Sequence, residues 1–271
     1  MSIVFSKALL MSGEDYRLTP SITLHHPTVG EIIHINDTSN PDQRYWQYIN
    51  ILLSDPYSNM VMLDDMGLNF LEVTPYDVFI IQWDKCVDSY NKNKEIFDLY
   101  KIHPLDNILD ALSFFIKEKH DFIKGNYDDG EVCFYDKDNP KCQINKEIFN
   151  CIYEWVKSIN RIDYSDRIKP ADENARLILI EDMRDEIKKA QRRKKKDENN
   201  FDHLGNIMSA NCFGGKSWVT PFQINDCKIY WLNEGLFIDN KRTKVEHILN
   251  GIYCGTISQK DVNRQELDWV S

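Results

Sequence analysis

The chain has no run of about 18 apolar residues, so no membrane-spanning helix is expected from it. It also has no C-x-x-C pair. Its seven cysteines, Cys86, Cys133, Cys142, Cys151, Cys212, Cys227 and Cys254, are odd in number and unpatterned, which argues against a full disulfide framework and for reduced thiols. Positive charge is in short supply: 33 Lys and Arg face 43 Asp and Glu, a net −10, whereas a broadly basic nucleic-acid binder has the opposite balance. G-x-S-x-G, H-E-x-x-H and G-x-G-x-x-G are all missing, and with them the local signatures of nucleophile-elbow hydrolases, zinc proteases and dinucleotide sites. The opening MSIVFSKALLMSGEDY has neither a basic n-region nor a small-residue cleavage site and runs straight into Glu14 and Asp15, so no export signal is expected.

What is present is a chain of 271 residues, 42% apolar, enough for one large domain or two modest ones. Its patterning is helical. Ile22-Thr23-Leu24 reads as a short strand, after which Pro27 opens a helix with Val29, Ile32 and Ile33 on one face. Trp46, Ile49 and Leu53 predict a longer helix, which Asp55-Pro56 ends and restarts through Met60 and Leu63 to a C-capping Gly67. Thr74-Pro75-Tyr76-Asp77 reads as a capping box with proline in the first turn. Residues 27–90 are thus expected to be a compact helical unit. Leu105, Ile108, Leu109, Leu112 and Ile116 continue the helical period after Pro104, and then the period changes: Phe122–Lys124 and Glu131–Tyr135 flank Asp128-Asp129-Gly130, a hairpin signal. Asn145 caps a further helix striped by Ile148, Ile152, Trp155 or Val156, and Ile159.

Residues 160–171 are the best linker. Beyond them Leu177, Ile180, Met183, Ile187 and Ala190 predict one helix over 172–196 with a narrow apolar seam. Three further helical stretches follow, through Leu204, Ile207 and Met208, through Ile229, Leu232 and Leu236, and through Val245, Ile248, Leu249 and Ile252, the last closed by Gly255. The expectation is a mainly α, multi-helix protein with a small β-hairpin element in the middle. Its units would be an N-terminal helical one at 1–160, holding the β element, and a C-terminal one at 172–271 that opens with a basic helix. Core candidates are Trp46, Ile49, Leu53, Leu63, Phe79, Leu109, Leu112, Ile152, Leu177, Ile180, Ile248 and Ile252.

Chemical motifs are sparser. Cys133, Cys142 and Cys151 are evenly spaced, with His120 available as a fourth ligand, but zinc sites pair close ligands on a turn, so structural cysteines and no metal are expected. Gly214-Gly215-Lys216-Ser217 resembles the end of a phosphate-binding loop, yet Ala210 stands where the first glycine is required and no buried strand precedes it. Glu186-Ile187-Lys188 matches part of a metal-dependent nuclease motif, but inside a helix its two charged groups diverge by about 200°. His25, His26 and His34 cluster near the start, and Cys86 with His103 is an imaginable nucleophile and base, though no spacing makes that pair local. No cofactor is expected.

The feature above background is the basic run Lys188, Lys189, Arg192, Arg193, Lys194, Lys195 and Lys196. Residues 184–196 hold eight basic and two acidic side chains, which leaves 25 basic against 41 acidic elsewhere, a balance of −16. Three readings stay open: a solvated helix end favoured by the helix dipole, an acidic protein partner, or a phosphate backbone, which the surrounding negative charge opposes.

Several stretches together resemble the tail assembly chaperones of long-tailed phages and prophages of low-GC Gram-positive bacteria. They are HHPTVGEI (25–32), RYWQYINILLSDPYSNMVMLDDMGLNFLEVTPYDVF (44–79), CFYDKDNPKCQINKEIFNCIYEWVKSIN (133–160), LILIEDMRDEIKKAQRRKKK (177–196) and HILNGIYCGTISQKDVNRQELDW (247–269). The resemblance implies a non-enzymatic morphogenesis factor in the host cytoplasm that binds tape-measure or tail-tube subunits before and during polymerisation. It is also compatible with a tail or baseplate component of the virion. From a different class, a nuclease or nucleic-acid-binding protein is the alternative that the basic run leaves open.

Overall fold

A computed structural model describes residues 4–35, 41–126, 130–164, 167–194, 203–214, 218–258, 260, 262–263 and 267. The protein is mainly α with two small sheets. In chain order the elements are α1 (Lys7–Ser12), β1 (Tyr16–Thr19), β2 (Ile22–Leu24), α2 (Val29–Ile33), α3 (Pro41–Leu52), α4 (Met60–Asp65), α5 (Pro75–Lys92), α6 (Lys94–Tyr100) and α7 (Asp106–Phe115). They continue with β3 (Phe122–Asn126), β4 (Val132–Asp136), β5 (Gln143–Ile144), α8 (Lys146–Ile159), α9 (Glu173–Lys194), α10 (His203–Phe213) and α11 (Ile229–Tyr253).

Local chemistry sets the helix starts. Thr74 accepts from Asp77 N while the Asp77 carboxylate accepts back from Thr74 N at 2.8 Å, so two otherwise orphaned donors of α5 are satisfied, and Pro75 fits the first turn where no N–H is needed. Thr28 and Glu31 repeat the device on α2. Asn145 caps α8 through Ile148 N at 2.9 Å. Gly67 follows α4 at φ +73°, a conformation that a Cβ would strain.

The hairpin expected in the middle is present and longer than its sequence signal. β3 and β4 pair antiparallel from Phe122 opposite Asp136 to Asn126 opposite Val132, and β5 adds to the other edge of β4 through Phe134 opposite Ile144. Asp128 and Asp129 lie outside the described residues. Tyr135 packs over Gly125, where an added Cβ would sit 2.3 Å from the ring, so a side chain here would have to displace Tyr135. A second ribbon, β1 against β2, matches Tyr16 to Leu24 and Arg17 to Thr23.

The core centres on α8, whose Phe149, Ile152, Trp155, Val156 and Ile159 are wholly buried. Around it lie Tyr48 and Ile49 of α3, Phe79 of α5, Leu112 and Phe115 of α7, and Phe134 of β4. Each such large apolar side chain contributes about 1.5–3 kcal/mol by leaving water. Two smaller clusters flank it, one of Val29, Ile207, Val219, Ile224 and Leu232, the other of Met60, Leu63, Phe70, Val78 and Ile180. All three draw residues from both sides of 160–171, the main one through Leu204, Ile229 and Tyr230. The stretch 160–171 is itself tied down: Arg167 pairs with the buried Asp55 and stacks 3.5 Å from the centre of the Tyr164 ring. The buried faces of 27–90 join all three clusters, closing on 108–159 in the main one, on 207–232 through Val29, and on Ile180 through Met60, Leu63, Phe70 and Val78.

Some expectations need correction. Leu177 is 48% exposed, and Trp46, Leu109, Ile248 and Ile252 are only half-buried. The two stretches read at 229–236 and 245–252 are one 25-residue helix, α11. Its N-terminal half supplies the wholly buried Leu232, whereas in its second half Val245 alone is buried. Among the described residues no helix is long and apolar enough to cross a membrane.

Candidate functional site

The basic helix divides into an anchored root and a free end. Asp172 caps α9 by accepting from Ala175 N at 2.8 Å. Ile180 is buried, and Leu179 and Met183 pack beside it on the Met60, Leu63 and Val78 cluster. Arg184 reaches Asp64 and Asp65 of α4 at 2.9 and 2.6 Å, and Arg176 lies 3.8 Å from Asp64. From Asp185 to Arg192 every described side chain is exposed. The seam read from sequence is therefore half as long as expected: Ile187 is 39% exposed and Ala190 is exposed.

Within the free end, Lys188 pairs with Asp185 and Lys189 with Glu186, both at 3.1 Å and one turn apart. Such exposed pairs contribute little to stability. They leave Arg192 as the outermost described cation. The side chains of Arg193 and Lys194, and all of Lys195 and Lys196, lie outside the described residues. Glu186 and Lys188 each turn to a different partner on their own helix, so this triplet builds no converging metal and water site.

The division of α9 gives a first expected outcome. Ile180→Ala should lower stability by about 2–4 kcal/mol, because it empties a buried position, whereas Leu177→Ala and Ile187→Ala should each change it by less than about 0.5 kcal/mol. Urea denaturation of the three variants checks this, and equal losses at all three would contradict the anchored-root description.

Tertiary structure assembles one constellation that sequence spacing hides. His120, Asp136 and Cys142 come together as a buried Cys-His-Asp group: His120 Nδ1 lies 2.8 Å from Asp136 Oδ2, and Cys142 Sγ lies 3.6 Å from His120 Nε2. The composition is that of a thiol nucleophile with its base and orienting acid. The geometry is that of a brace. His120 Nε2 also lies 2.9 Å from the carbonyl of Ser21, which can only accept, so this nitrogen donates and has no lone pair for the thiol. Asp136 lies at the other ring nitrogen, so His120 ties β4 to the β1–β2 ribbon. That partner and two backbone N–H donors outweigh burial and hold the Asp136 carboxyl below the usual range. Burial pushes the Cys142 thiol up, the reverse of activation.

The N-terminal histidines separate into unlike roles. His25 lies between two carboxylates, Asp15 at 2.9 Å and Glu31 at 3.1 Å, and Lys117 joins Asp15 at 2.9 Å. Desolvation alone would raise Asp15; Lys117, the His26 backbone N–H and His25 outweigh it and bring it down to about 2. His26 is wholly buried, and neither of its ring nitrogens has a partner among the described residues. Cys86 and His103 share no hydrogen bond among the described residues: His103 Nδ1 accepts instead from Leu105 N at 3.2 Å. In the glycine-lysine stretch Gly214 N donates to Ala210 O at 2.9 Å as a helix end, and 215–217 lie outside the described residues.

The His120, Asp136 and Cys142 group thus serves as a brace, and the free end of α9 faces outward. No family model, curated protein or solved structure matches this chain.

Proposed function

We propose that the chain is a non-enzymatic docking factor of phage tail assembly, chaperone-like, that holds tape-measure or tail-tube subunits in the host cytoplasm. The free end of α9 is where an acidic surface of the client engages. One observation carries this reading: ten residues of regular helix, from Asp185 to Lys194, extend beyond the last ion pair to the body among the described residues and carry the basic run as far as Lys194. Helices in proteins draw most of their stability from a packed face, and this stretch packs none of its described side chains.

Charge placement supports the same reading. The free end spans about 15 Å at 1.5 Å per residue, longer than the Debye length of about 8 Å in physiological salt. An acidic client is therefore attracted to the tip while the net −16 of the remaining sequence keeps it off the body. The sequence resemblance supplies the class of client, and no cofactor enters.

Co-expression of the tagged chain with the tape-measure and tail-tube proteins of the same gene cluster tests the proposal. The expected result is salt-sensitive co-purification of one of them from the soluble fraction. Stoichiometric recovery of the chain in purified virions would select a structural tail component instead, and DNA retention without either client would select nucleic-acid binding.

A further inference from the structure

A cavity of about 490 Å³ lies along a face of α11 whose Trp231 also packs against the core. Trp231, Glu234, Gly235, Ile238, Asp239 and Arg242 line it at helical spacing, and Met11 and Trp218 complete its walls. Both indole N–H groups are already committed: Trp218 Nε1 donates to Asn211 Oδ1 at 2.7 Å and Trp231 Nε1 to the Met11 carbonyl at 3.0 Å. Asn211 is itself buried and fixed by the Ile207 and Leu232 carbonyls. What the tryptophans offer a ligand is therefore ring surface rather than a free N–H.

Glycines fix both rings in place. A Cβ on Gly235 would sit 2.6 Å from Trp218 Nε1, and one on Gly13 would sit 2.7 Å from Trp231 Cζ2. Both rings line the same cavity and make no ring contact with each other. The charges around it are sorted. Glu234 is neutralised by Lys7 and Arg161, and Arg242 pairs with Glu246 one turn on at 3.4 Å. Asp239 has no hydrogen bond or ion pair among the described residues.

We infer that this cavity binds a small organic cation, an ammonium head on a short apolar stem, with the head held by the indole faces and the Asp239 carboxylate. The negative π faces attract a cation without needing its hydrogen bonds. Met11 and Ile238 take the stem, and the volume lies in the usual range for small-ligand sites. The site is independent of α9 and of the docking role.

Choline is the probe, and its neutral carbon isostere 3,3-dimethylbutan-1-ol is the control. Calorimetry and tryptophan fluorescence should show saturable choline binding below about 10 mM, with the neutral analogue at least about tenfold weaker. Asp239→Asn should weaken choline binding about tenfold at an unchanged melting temperature. Gly235→Ala should abolish binding by displacing Trp218, with melting measured alongside to confirm a folded protein. Equal affinity for the neutral analogue, an unaltered Asp239→Asn isotherm, or binding only to a lysine-containing peptide and not to choline would each overturn the inference.

Discussion

His26→Leu should remove about 3 kcal/mol of acid sensitivity between pH 6.5 and pH 4. His26 is wholly buried against Trp155 and Tyr230, with ring centres 5.7 and 6.4 Å away. Burial, and then the nearby positive charges of Lys228 and His25, bring its pKa down to about 4 from an ordinary 6.5. A base with a depressed folded pKa stays neutral in the fold while the unfolded chain takes up a proton. Its contribution is therefore intact above pH 6.5, falls as pH drops toward 4, and is level below that. Every tenfold loss of proton affinity on folding corresponds to about 1.4 kcal/mol, which gives the stated magnitude. Asp15, Glu31, Glu118 and Asp136 act lower: each is held below its ordinary value, so their contribution is lost only as the carboxylates protonate. Urea denaturation of the parent and the variant at pH 7 and pH 4 reads the difference. An identical pH drop in both would contradict the account of His26 as a neutral, unpartnered ring.

Trp155→Ala should cost about 3–5 kcal/mol, the largest loss expected from one side chain here. Trp155 has no exposed surface, and its ring meets Phe5 at 5.0 Å, Tyr16 at 6.2 Å and His26 at 5.7 Å. Its Nε1 donates to the His25 carbonyl at 2.8 Å. One residue of α8 thereby holds the segment leading into α1, the β1–β2 ribbon and the entry to α2. Trp155→Phe keeps most of the apolar contact but strands that carbonyl, so it should cost about 1–2 kcal/mol. The phenylalanine variant keeps the test informative if the alanine variant does not fold. A loss under about 1 kcal/mol in both would contradict this placement of the residue.

How far the fold can be read from the sequence follows from how local its causes are. Thr74-Pro75-Tyr76-Asp77 and Asn145 announce helix starts because a cap is a contact between neighbours three residues apart. The hairpin at 122–136 shows as a change of period around a turn signal. β1 and β5 are too short to show alternation, and α6 has an ill-defined pattern because its apolar side chains, Ile96, Leu99 and Tyr100, are exposed. The seam of α9 is shorter than its spacing implies for a related reason: three-and-four spacing says which residues share a face and nothing about how far the surface beneath them extends. The His120, Asp136 and Cys142 brace joins residues brought together only by the sheet. The Trp218 and Trp231 cavity hides behind the stronger signal of Leu232 and Leu236, which mark the adjoining, packed side of α11.

The claim that the free end of α9 docks a client is tested most directly by reversing Arg192, Arg193 and Lys195 to glutamate and repeating the co-purification with the tape-measure and tail-tube proteins. Surface changes of this kind usually shift stability by less than about 0.5 kcal/mol, so the variant should melt with the parent. The account predicts an unchanged melting temperature together with loss of client recovery at physiological salt. Undiminished recovery of the client by a folded triple variant would contradict it and leave the basic run a solvated helix end.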